Sequence, residues 1–196
     1  MRRPSPRTTI ATGLAVATAG VWWWAAADDS PRTTGYVTDA RIEVEGSGDT
    51  SAVYVAPQLD GRLLPSTGVV GTQPGQTPFA DLRGPLVVNV WASTCVPCRD
   101  EMPALQAFAQ AYAGKVTVVG VNPLDGADEL RRFAAETGVS YPLYRDPDGV
   151  FQVELGIELI PATLFVRADG TIAQLYLGAL DQDRLAALVA SELGVD

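Results

Sequence analysis

The chain has 196 residues and is 47% hydrophobic, enough for one globular core with an appendage. Its 14 basic residues face 23 acidic ones; setting aside Arg2, Arg3 and Arg7 leaves 11 basic residues and a body of −12, which repels phosphate backbones and excludes nucleic acid as a partner. With no histidine and two cysteines, imidazole chemistry is excluded and a four-ligand zinc site would stay half empty.

Residues 10–27, IATGLAVATAGVWWWAAA, carry no charge over 18 positions. As a helix they reach about 27 Å, close to the thickness of a hydrocarbon core. Trp22, Trp23 and Trp24 stand at the far end, where indole favours the lipid–water boundary, and Asp28 and Asp29 follow. Basic residues before this stretch and acidic ones after it keep the N-terminus in the cytoplasm and the body outside. Residues 1–27 therefore read as a signal anchor. A signal peptide cleaved after Ala25-Ala26-Ala27 is the alternative, and either one exports the body to where disulfides persist. Residues 28–51 are polar, with DDSPRTTG and EGSGDTS as loose ends, and read as an extracytoplasmic tether. The globular domain is expected over 52–196.

In that domain AVYVA (52–56) reads as a strand and LDGRLL (59–64) as a turn feeding another. The stretch PSTGVVGTQPGQTP is too rich in Gly and Pro to assign. LVVNVW (86–91) is the β-branched run of a strand buried on both faces. Met102, Leu105, Phe108, Ala109 and Tyr112 then fall on one face of a helix. VTVVGV (116–121) is a second buried strand. Asp125 is the expected N-cap of a helix that turns Leu130, Phe133 and Ala134 inward and ends before Gly138. YPLYRD (141–146) is a short extended piece, and GVFQVELG a single helical stretch. ATLFVR (162–167) and IAQLYL (172–177) form a hairpin across the turn ADGT. Asp181 opens a last helix, closed at Gly194. Strand–helix alternation followed by a hairpin and a helix predicts an α/β sandwich, a mixed sheet with helices on both faces and function at the carboxyl end of a strand.

The two cysteines meet that expectation, in WASTCVPC, where a buried strand gives way to a helix. Unpaired N–H groups and the helix dipole favour a thiolate at such an N-terminus, and the thiolate is the form that attacks a disulfide. Cys95 falls at the first position and Cys98 one turn later on the same face, so the first can attack and the second resolve a mixed disulfide. Pro97 fits a first turn, where no N–H is needed. A Cu(I) site of two thiolates and a purely structural disulfide are the rival readings; the second would close too small a loop to constrain much of the unfolded chain.

The stretch VVNVWASTCVPCRDEMPAL, with GVN, GVSYPLYRDPDG and LIPATLFVRADGTI, resembles the thioredoxin-like oxidoreductases, and most the membrane-anchored, extracytoplasmic TlpA-like or ResA-like branch. The similarity runs over roughly residues 78–190. It implies a thioredoxin-like three-layer sandwich, a central mixed β-sheet flanked by helices, with an α/β insertion before the cis-proline strand. It implies that Cys95 attacks and Cys98 resolves, with no cofactor beyond their redox-active disulfide and no metal. Ile160-Pro161 matches the cis-proline loop that lines the family's substrate groove. Glu101 matches an acid that tunes the thiols and shuttles the resolving proton. Cytoplasmic thioredoxins hold an Asp six residues before the first cysteine; here it is Asn89, an amide that exchanges no proton, which leaves Glu101 as the acid. The family's Trp before the first cysteine is replaced by Thr94, which leaves a more open, polar rim. Trp91, the strand residue of the motif, is expected in the core with its ring near the sulfurs, where it would border the substrate surface. The superfamily's peroxidases carry a Thr three residues before the reactive cysteine, where this chain has Ala92.

Val96 and Pro97 offer the thiolate neither charge nor a side-chain hydrogen bond, and the acidic body opposes it, while Arg99 acts the other way. A less stabilised reduced form makes a more reducing couple. The expectation is a reductase of exported protein disulfides, serving in relatives cytochrome c maturation or copper-enzyme assembly and fed by a membrane thiol transporter of the CcdA or DsbD kind. A disulfide-forming oxidase or isomerase and a Cu(I) carrier are the alternatives.

Overall fold

The structure, a computed structural model, describes residues 41–43 and 53–196. The expected anchor lies outside them, as does most of the tether. Within the tether, Arg41–Glu43 (β1) pairs antiparallel with Val53–Val55 (β2). Among the described residues no helix is long and apolar enough to cross a membrane.

The remaining strands form one sheet. They are Val70–Gly71 (β3), Leu86–Val90 (β4), Thr117–Asn122 (β5), Leu143–Arg145 (β6), Ala162–Val166 (β7) and Ile172–Leu177 (β8), in the order β3-β6-β5-β4-β7-β8. β4, β5 and β6 run parallel, while β3, β7 and β8 pair antiparallel with their neighbours. The helices are Val96–Ala111 (α1), Ala127–Thr137 (α2), Val150–Leu155 (α3) and Gln182–Leu193 (α4). α1 and α2 are the crossovers of β4–α1–β5 and β5–α2–β6, and parallel pairing demands such connections.

Each residue of β4 and of β7 is buried, Asn89 and Thr163 among their apolar neighbours included. Alternation sends Val87 to a core shared with Met102, Leu105 and Phe108 of α1, Leu130 and Phe133 of α2, and Leu185 and Leu188 of α4. Val88 and Val90 face the other core, with Phe151 and Leu155 of α3. Two cores on two faces make the three layers.

Local signals end most elements as expected. Asp181 caps α4, its Oδ1 accepting from the Arg184 N–H at 2.7 Å, and Gly194 closes it with φ 64°. Two expectations fail. LDGRLL feeds no strand: Leu63 makes a single bridge to Thr171. Asp125 does not cap α2, whose N-cap is Gly126 without a side-chain bond; its carboxylate is taken by Ser93, 32 positions back, and by Asn122.

Candidate active site

β4 ends at Val90, and the chain turns through Trp91–Thr94 before α1 begins. Cys95 is the N-cap of α1, and its sulfur accepts from the Cys98 N–H at 3.2 Å. The two cysteines are joined in a disulfide with their Cα atoms 5.3 Å apart. Cys95 is half-buried and Cys98 has no exposed surface. An accessible sulfur backed by a buried partner can open to a mixed disulfide and be resolved from behind. Val96, between them, is 66% exposed.

α1 runs unbroken through Pro103, an exposed residue whose missing N–H leaves the Arg99 carbonyl without its helical partner. The helix directs Glu101 into the protein, with 2% exposure. Oε1 accepts from Asn89 Nδ2 at 2.8 Å, and Oε2 from the Leu180 N–H at 3.0 Å in the β8–α4 loop. Asn89 Nδ2 also reaches Thr163 Oγ1 at 3.2 Å, so β4, α1 and the last loop meet at one carboxyl and Asn89 ties β7 to them. Burial pushes Glu101 up to about 7, against the lowering effect of its bonds from Asn89 and Leu180. The Tyr141 hydroxyl, buried and without a partner, is pushed well above its ordinary range by burial and then by the charge of Glu101.

The Ile160–Pro161 peptide is cis. Val90 pairs with Ala162, which sets Pro161 alongside Trp91 at the mouth of the cysteine loop. Pro161 is buried, while half-buried Ile160, like Cys95, packs against the core that holds Cys98. Thr94 is exposed. Trp91 does not border any surface: it is fully buried, 4.7 Å from the Phe133 ring, and no client can touch it. The guanidinium of Arg99 lies 4.9 Å over that same Phe133 ring and 3.7 Å from Glu136. This divides its charge between α2 and the helix N-terminus.

Sequence reasoning passed over Ser93, Asn122 and the true role of Asp125. The Asp125 carboxylate accepts from the Ser93 N–H at 2.7 Å and from Ser93 Oγ at 3.0 Å. The available signal was Asn122, three residues earlier at a strand end, where an Asx turn competes with a helix cap.

Residues 61–175 match the model of the AhpC/TSA family. The chain is 40% identical over 114 residues to the thiol:disulfide interchange protein DsbE of Pseudomonas fluorescens biotype C, a match that covers 55% of this chain and 62% of that protein, less than two thirds of its length. It is 36% identical over 151 residues to the thiol:disulfide interchange protein HelX of Rhodobacter capsulatus, covering 70% and 84%. Among solved structures, a secreted Mycobacterium tuberculosis disulfide oxidoreductase described as homologous to E. coli DsbE superposes with a TM-score of 0.52 at 30% identity, over 57% of this chain and 85% of that one.

Proposed function

The chain belongs to the AhpC/TSA family, and from that premise we propose that it is an extracytoplasmic protein thiol–disulfide oxidoreductase working as a reductase. The observation that carries the oxidoreductase reading is the asymmetry of the pair: Cys95 is open to a partner and Cys98 is sealed behind it; the uncharged Val96 and Pro97 between them favour the reducing direction. The DsbE and HelX relatives, both called thiol:disulfide interchange proteins, support it.

In the reduced protein the Cys95 thiolate attacks a client disulfide. The client S–S bond breaks, one client sulfur leaves as a thiolate and takes a proton, and the other is held on Cys95. Cys98 then loses its proton and attacks Cys95 Sγ, releasing the second client thiol. The client gains two electrons and the Cys95–Cys98 disulfide is restored. Glu101, three residues after Cys98 and poised near neutrality, is the acceptor for the Cys98 proton. Thr94, Ile160 and the Pro161 backbone form the rim that receives the client, and Trp91 supports it from below. The clients are exported proteins with disulfides, as in cytochrome c maturation. The donor is a membrane thiol transporter of the CcdA or DsbD kind, with residues 1–27 as the membrane anchor.

The test is the reduction potential of the Cys95–Cys98 pair against thiol–disulfide buffers. A value near the thioredoxin end, about −270 mV, supports the reductase; one near about −120 mV makes the chain a disulfide-forming oxidant. Tight Cu(I) binding with no exchange would make it a carrier.

A further inference from the structure

The β5–α2 loop carries an acid that neither the disulfide exchange nor the helix next to it uses. Asp125 Oδ2 accepts from the Ser93 N–H at 2.7 Å, Oδ1 from Ser93 Oγ at 3.0 Å, and Oδ2 again from Asn122 Nδ2 at 2.7 Å. Asn122 is fully buried, and its Oδ1 accepts from the N–H groups of Leu124 and Asp125 at 2.9 and 2.8 Å, closing a turn on its own side chain. Arg145, the last residue of β6, donates from Nε to the Asp125 carbonyl at 3.0 Å. Asp125 is thus held from its own turn and from β6, and it grips the cysteine loop by backbone and side chain together. Ser93 stands two residues before Cys95.

Hydrogen bonds to a carboxylate are stronger than neutral ones, so this grip fixes the backbone that presents the attacking sulfur. The same carboxylate holds a negative charge on Ser93, two residues before a sulfur that must become negative to react, and like charge opposes that. We propose that Asp125 is a positioning residue of the redox pair, holding the Ser93–Cys95 segment in place and restraining the Cys95 thiolate through its charge. The inference rests on the proposed reductase, whose couple it keeps on the reducing side.

The other charged groups on the elements meeting here are otherwise engaged or exposed. Arg99 is shared with Phe133 and Glu136, and Glu101 is bonded to Asn89 and Leu180. Asp100 in α1 and Glu158 before the cis-proline are exposed, and Arg145 points its Nε at the Asp125 carbonyl. Of these groups and Asp125, it is Asp125 that hydrogen-bonds the cysteine loop.

The experiment follows alkylation of Cys95 by iodoacetamide in the reduced full chain as a function of pH; Cys98 is sealed from the reagent. Asp125→Asn keeps the shape and an acceptor for the Ser93 N–H while removing the charge. Its Cys95 should react about threefold or more faster than wild type at neutral pH, with the profile displaced to lower pH. Asp128→Asn, which removes an exposed acid from the first turn of α2, should leave the profile in place. Asp125→Ala should displace the profile likewise and also speed hydrogen exchange at the Ser93 amide. An unmoved profile in Asp125→Asn, an equal displacement in Asp128→Asn, or full retention of Ser93 protection in Asp125→Ala overturns the proposal. A wild-type protein that exchanges no disulfide would sink the reductase and leave these rate ratios readable. Ratios of one in a competent reductase would sink the role of Asp125 alone.

Discussion

Glu101 holds a carboxyl in the core between two donors, and its cost depends on pH. Its pKa rises on folding from an ordinary 4.5 to about 7, so between these values the folded chain binds more protons than the unfolded one. The favourable contribution of the protonated form is fully present below pH 4.5 and is lost as pH climbs through about 7, a swing of at most about 3 kcal/mol. Glu101→Gln removes the titration. The unfolding free energy of wild type minus that of the variant should fall across this window, measured by urea unfolding at a series of pH values; a level difference would mean Glu101 does not titrate there. The same variant should slow reduction of a protein disulfide if Glu101 takes the Cys98 proton. At this scale the cysteines were legible because they are the two in the chain and sit three apart at a strand–helix junction. Asp125 was misread because a capping rule looks at the next few residues, whereas its partner Ser93 lies 32 residues back.

β5 depends on the one residue in it that has no side chain. A Cβ on Gly120 would stand 2.7 Å from Leu143 Cδ2 and 2.8 Å from Trp91 Nε1, closer than such atoms approach. The strand lies between β4 and β6, and the indole of Trp91 fills the space that Gly120 leaves on the α1 face. Gly120→Ala should therefore destabilise the chain by about 1–3 kcal/mol and alter the emission of Trp91, read by urea unfolding with Trp22, Trp23 and Trp24 replaced by Phe. Unchanged stability would show that the indole can shift freely. The central strands were legible to within a residue, since a strand covered on both faces is mostly apolar and β-branched along its length. β3 was not: its two residues, Val70 and Gly71, are exposed at the sheet edge and carry no pattern, and only pairing with Tyr144 and Arg145 of β6 makes them a strand.

At the scale of the whole molecule, linkage ties the redox state of the cysteine pair to folding stability. The fold is thioredoxin-like: a mixed six-stranded sheet carrying the disulfide at the carboxyl end of β4. The short cysteine loop adds little constraint to the unfolded chain, so a difference in stability between the oxidised and reduced forms reports the folded state. In a reductase the folded protein favours its disulfide, and the oxidised form should unfold at a higher urea concentration than the reduced form. The reverse order would mark an oxidant. By itself the sequence determined the layered α/β class, the central strands and a cysteine pair at the start of a helix, because each is written in neighbours a few positions apart. Tertiary structure alone decided that Trp91 borders no surface, that Glu101 meets Asn89 and Leu180, and that Asp125 leaves its helix for Ser93. Those contacts span 12, 79 and 32 positions, and a polar side chain in the sequence carries no mark of which distant donor folding will bring to it.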